Sequence, residues 1–148
     1  MTPEQKDILR NTWKRVAPIA DHAAMLFYDR LFKIDPGTRV LFARTAMREQ
    51  RRKLMQSLGL VIDGIDELDR LLPAIEELGR RHASYGLTNA HYFSVGSALL
   101  WTLEQGLGDA WTPEVADAWS SVYALVGTTM LEASKTEGPF PERTERAA

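Results

Sequence analysis

Residues 73–86 read PAIEELGRRHASYG. Ile75, Leu78 and His82 recur at helical spacing, so an imidazole stands where the apolar stripe calls for an aliphatic side chain. Pro73 is expected to open this helix and Gly86 to close it. A buried neutral imidazole costs free energy unless it is partnered. Two arrangements would satisfy it. One is a core histidine bonded to a backbone carbonyl. The other is an axial metal ligand, with Nε2 on the metal and Nδ1–H donated to the carbonyl of Leu78.

The surrounding sequence is punctuated for helices. Thr2-Pro3-Glu4-Gln5 predicts a capping box, followed by a helix to about Ala17 bearing Leu9, Trp13 and Val16. After Pro18 a second helix should place Met25, Tyr28 and Phe32 on one inward stripe, with Phe27 and Leu31 beside it. Asp35-Pro36-Gly37 ends it, because a residue before proline is pushed out of the α region. A third long helix from about Met47 carries Gln50, Leu54, Leu58, Val61 and Ile62, and Asp63-Gly64-Ile65-Asp66 breaks it. Beyond His82, Asn89 is expected to cap a helix with Tyr92, Val95, Leu99 and Leu103 inward, ended by Gly106 and Gly108. Thr112-Pro113-Glu114 starts the last helix, whose inward residues are Val115, Trp119, Val122, Val126 and Met130. The pattern predicts an all-α domain of six to eight helices over residues 1–136, and a loose tail over 137–148.

Composition narrows the chemistry. The chain has 148 residues, a length for one domain with an ample core, and 45% of them are hydrophobic. It has no cysteine, which excludes thiolate catalysis, Cys-bound zinc and iron–sulfur clusters. A formal charge of −2 offers no global field for nucleic acid. The polar N-terminal stretch and the lack of a long apolar run point to a cytoplasmic protein without a membrane span. The cluster Arg48, Arg51, Arg52 and Lys53 is expected to be a solvated helix face.

Two further polar groups point inward. Gln50 lies on the stripe of Leu54, Leu58 and Val61, 32 residues before His82 and on the other long helix. Tyr28 occupies an inward position on the second helix, where an ordinary core tyrosine is the alternative. Phe42 is either a stray surface apolar residue or a wedge against a ring. One ligand below, hydrogen-bond donors above and apolar walls elsewhere are the parts a flat metallated macrocycle requires. His91 is expected to be a rim or capping residue, and His22 has no partner in view.

With these residues in register, the chain resembles the single-domain bacterial haemoglobins and the globin half of flavohaemoglobins, especially the thermoglobin-like members. In helices five to seven it is also similar to neuroglobin. The stretches that carry the likeness are LFYDRLFKIDPGTRVLF (26–42), EQRRKLMQSLG (49–59), LGRRHASYG (78–86) and HYFSVGSALLWTLEQGLGDAWTP (91–113). The resemblance covers about residues 3–135 and implies a globin fold around one haem b, iron protoporphyrin IX. It makes His82 the proximal ligand and metal-binding residue, and Tyr28 and Gln50 the distal pair. Phe42, Leu54, Lys53, Tyr92 and Val95 are then expected against the cofactor. Tyr92 matches the tyrosine that in flavohaemoglobins joins a glutamate and the proximal histidine. Ser134 stands at the position of that glutamate and Glu132 sits two residues away, so the charged member of that network is not implied here.

The function so implied is reversible, high-affinity binding of O2, with CO and NO as further ligands. An alternative is NO dioxygenation or nitrite reduction. Either would need electrons from a separate reductase, since no flavin or nicotinamide domain is in view. Nucleic acid and membrane are not expected partners, and the chain is expected to be a monomer or weak dimer.

Overall fold

The computed structural model describes residues 1–135. The expected tail, 137–148, and Thr136 before it lie outside the described residues. Helix α1 (Pro3–Val16) begins as its sequence dictates. The Thr2 hydroxyl accepts from the Gln5 N–H at 3.1 Å, and Gln5 Oε1 accepts from the Thr2 N–H at 3.0 Å. A short 3-10 turn at Pro18 leads into α2 (Ala20–Ile34), and Pro36 opens a longer 3-10 segment, Pro36–Phe42. Helices α3 (Met47–Asp63), α4 (Leu68–Ser84), α5 (Asn89–Leu107) and α6 (Pro113–Ser134) complete the order. Among the described residues there is no strand, and no helix is long and apolar enough to cross a membrane.

Packing pairs α4 with α6 and α2 with α5, while α1 packs on α6 and α3 on α2. The centre is filled by Trp119, Leu9, Leu31, Ile65 and Val16, all fully buried. The Trp119 indole N–H would be stranded there, but it donates to the Thr12 hydroxyl at 2.9 Å. At the α4–α6 crossing the two backbones nearly touch. A Cβ on Gly79 would fall 2.4 Å from the Met130 carbonyl oxygen, so only glycine allows this approach. Helices α3 and α4 do not pack broadly on each other, and the 3-10 turn Ile65–Glu67 joins them. Beyond that turn α3 and α4 make little contact with each other.

Three local expectations are corrected. Pro73 does not start α4; it lies inside a helix that begins at Leu68. Leu68 is half-buried against the core, and its packing accompanies more than a turn of helix ahead of the proline. Asn89 is the first helical residue of α5, and Thr88 is its N-cap. Met25 does not share the inward stripe of Tyr28: it is 44% exposed, while Phe27, Tyr28 and Leu31 are buried. A helix of 15 residues with this many apolar side chains offers more candidates than one buried face can hold.

Candidate cofactor site

Helix α2 supplies Tyr28 by burying it among aromatic rings. Phe27 meets it edge-on at 4.8 Å between centroids, and Phe42 meets it edge-on at 5.4 Å. Phe42 reaches that position because Pro36 turns the chain back through the 3-10 segment, and it also packs on Phe32 at 5.7 Å. Phe42 is thus half-buried among aromatic side chains and not a stray surface residue. Gln50, in the first turn of α3, donates from Nε2 to the Tyr28 hydroxyl oxygen at 3.1 Å. Burial pushes the Tyr28 phenol up to about 12, with the Gln50 bond opposing it. Tyr28 is therefore a neutral donor at ordinary pH. Its own O–H has no acceptor among the described residues.

His82 projects from the last turn of α4 with Nδ1 2.8 Å from the Leu78 carbonyl oxygen. A carbonyl can only accept, so Nδ1 carries the proton and Nε2 keeps its lone pair. No hydrogen bond engages Nε2 among the described residues. Burial holds the imidazole below its usual pKa; the Leu78 bond opposes this and the Arg81 charge adds to it. No hydrogen bond or ring contact joins His82 to Tyr28 or Gln50. Each of His82 and Gln50 lies about 20 Å along its helix from the turn joining α3 to α4, at 1.5 Å per residue. The two residues therefore both lie far from that turn, on two helices that make little contact with each other.

Leu54 and Val95 are half-buried and pack against the core, and Lys53 is half-buried one turn beyond Gln50. Tyr92 is more telling. Its hydroxyl is a buried side-chain polar atom without a hydrogen-bond partner among the described residues, and burial pushes its pKa up. Its carbonyl is engaged by the Tyr123 hydroxyl at 2.5 Å. Ser134 does not reach toward Tyr92: its hydroxyl turns back to the Leu131 carbonyl at 2.7 Å. His91 is a capping residue, with Nδ1 accepting from the Thr88 N–H at 3.0 Å.

Sequence reasoning missed Gly79 and Tyr123. Gly79 sets how closely α4 approaches α6, three residues before His82, and a glycine inside a strongly periodic helix was its signal. Tyr123 gave no comparable signal, because its role depends on a carbonyl 31 residues away.

The family model for globins matches residues 25–130. The chain is 32% identical over 111 residues to a flavohemoprotein of Bacillus subtilis, a match covering 74% of this chain and 28% of that protein. It is 25% identical over 145 residues to a neuroglobin of Chaenocephalus aceratus, covering 89% of this chain and 91% of the relative. A solved structure of a hexacoordinated heme protein from an anhydrobiotic tardigrade superposes with a TM-score of 0.84. That match covers 92% of this chain and 96% of the other at 18% identity, a likeness of fold.

Proposed function

The chain belongs to the globin family, and on that premise we propose that it holds one haem b through His82 and binds O2 reversibly with high affinity beneath Tyr28 and Gln50. The observation that carries the reading is the His82–Leu78 bond, which fixes the imidazole tautomer and leaves Nε2 with a free lone pair and no hydrogen bond among the described residues. Among the described residues no three His, Asp or Glu side chains gather to hold a bare ion. A tetrapyrrole brings four donors of its own and asks the protein for one. The Tyr92 hydroxyl fits as well, since a buried donor without a partner among the described residues is suited to meet a bound group.

Haem, when bound, supplies an iron with a coordination position open to O2, CO or NO. The chain's own residues do the rest. His82 anchors from α4, while Phe42, Leu54 and Val95 keep water from the cofactor site. Tyr28 donates its free hydroxyl hydrogen to a diatomic guest. Gln50 holds the phenol in place and polarises it. A hydrogen bond to a charge-bearing guest contributes about 1.5–3 kcal/mol, and ~1.4 kcal/mol is tenfold in affinity. Such a donor favours retention over rapid release.

Hemin titration tests the proposal directly. The wild type should develop a Soret band and His82→Gly should not. A protein that stays colourless with added hemin, or a His82→Gly variant that keeps haem undiminished, ends the assignment.

The likeness to flavohemoproteins supports a second reading, NO dioxygenation or nitrite reduction with an external reductase. Mixing the oxygenated protein with NO, with and without a reductase, separates the two. Nitrate formed once without sustained turnover leaves the binding role alone.

A further inference from the structure

Residues 36–62 hold six cationic side chains, Arg39, Arg44, Arg48, Arg51, Arg52 and Lys53, against one anionic, Glu49. The next stretch, 63–77, reverses the balance, with six anionic side chains and only Arg70 cationic. The chain as a whole is nearly neutral, at −2, so charge is sorted by location rather than accumulated. Part of the basic stretch is neutralised: Arg52 pairs with Glu49, and Arg51 with Asp21 at 3.3 Å. Arg44 and Arg48 are exposed and form no ion pair among the described residues.

Their position matters more than their number. Arg44 lies in the turn before α3 and Arg48 in the first turn of α3, between two residues of the proposed distal wall, Phe42 and Gln50. Arg39 is held at the same edge, its guanidinium 4.8 Å over the Phe32 ring, which packs in turn on Phe42. The 3-10 segment before them also approaches α4. A Cβ on Gly86, just past the end of α4, would meet Leu41 at 3.8 Å. The cations without an ion pair among the described residues therefore rim the proposed cofactor site, between Phe42 and Gln50 and in the segment that approaches the end of α4.

We propose that this rim docks the acidic face of a one-electron donor protein, which reduces the iron through the nearby edge of the cofactor. The inference rests on the haem reading above and adds where the donor binds and by what chemistry. One electron passes from the donor to ferric iron, leaving the donor oxidised by one electron and the iron ferrous. No bond in the protein forms or breaks. Unpaired surface cations contribute little to folding, but they steer an oppositely charged partner and accelerate encounter.

The test uses the haem-loaded ferric protein and photoreduced flavodoxin, an acidic one-electron flavoprotein, in stopped-flow mixing. The second-order rate should fall about tenfold between roughly 20 mM and 300 mM salt, as the screening length shortens. Arg44→Glu/Arg48→Glu should lower the low-salt rate by about tenfold. It should also weaken binding of oxidised flavodoxin, read by titration calorimetry, by a similar factor. Lys14→Glu/Arg15→Glu on α1 removes the same formal charge elsewhere and should leave both readouts within about twofold. Reduction by the uncharged lumiflavin semiquinone should be the same in all three proteins.

A salt-independent rate overturns the proposal, as does equal slowing by the α1 pair. So does tighter binding to phosphatidylserine vesicles or to DNA than to flavodoxin. A protein that takes up no hemin fails before these mixings, which separates failure of the haem reading from failure of the docking surface.

Discussion

Gln50 and Tyr28 are coupled in series: the carboxamide donates to the phenol oxygen at 3.1 Å, and the phenol's own hydrogen is left for a guest. From sequence alone the two were equal donors side by side. The arrangement gives them unequal roles, because Gln50 spends an N–H on Tyr28.

Tyr28→Phe should therefore raise the O2 dissociation rate of the haem-loaded protein by about tenfold or more, the loss of one charge-assisted bond. Gln50→Leu should raise it only about threefold to fivefold, because the phenol survives but is less well held. Made in the Tyr28→Phe background, Gln50→Leu should add less than about twofold. Stopped-flow displacement of O2 by CO reads all three, and fully multiplicative effects would show parallel donors instead.

Tyr92→Phe removes a buried hydroxyl that has no partner among the described residues. The cofactor-free protein should gain about 1 kcal/mol, because the penalty of an unmet donor disappears. With hemin bound that gain should vanish or reverse. Urea denaturation of both forms reads the difference, and an equal gain in each would place Tyr92 away from the cofactor.

Gly79→Ala forces a methyl group to within 2.4 Å of the Met130 carbonyl oxygen and 2.6 Å of its Cα. Neither backbone can yield without moving a helix. We expect a loss of about 1–3 kcal/mol in unfolding free energy. Hemin affinity should fall too, since α4 carries His82 one turn further on. Gly106→Ala, where the methyl group would meet only Ile19 at 3.7 Å, should be neutral or stabilising.

The Tyr28 phenol, pushed up to about 12, gives a pH signature. Its native value lies above the unfolded value near 10, so the neutral form is favoured in the fold. That contribution is fully present below pH 10 and is lost as pH rises through about 12. Alkaline unfolding followed by circular dichroism should show a steeper loss of stability above pH 10 for the wild type than for Tyr28→Phe. Coincident curves would mean the phenol titrates as if exposed.

The helical architecture was legible because its signals are local. Thr2 and Gln5 close a capping box within one turn, Thr112 receives the Val115 N–H, and Pro36 ends α2 by steric exclusion. The His82 tautomer was legible for the same reason, since its partner Leu78 lies one turn back on the same helix. Pro73 was misplaced because the helix already runs from Leu68, half-buried against the core, a packing contact that the local sequence does not reveal. Met25 was misplaced because spacing alone cannot choose among several apolar faces.

By itself, then, the sequence determined which segments are helical, where they stop and which polar side chains lie on apolar stripes, because those properties depend on neighbours within a turn. Only the tertiary structure decided that Gln50 serves Tyr28, that Tyr92 has no partner among the described residues and that Gly79 lets two backbones meet. It also decided that Arg44 and Arg48 are exposed with no ion pair among the described residues. Each of these depends on atoms brought together from separate helices, and packing chooses among the many pairings that helical periodicity allows.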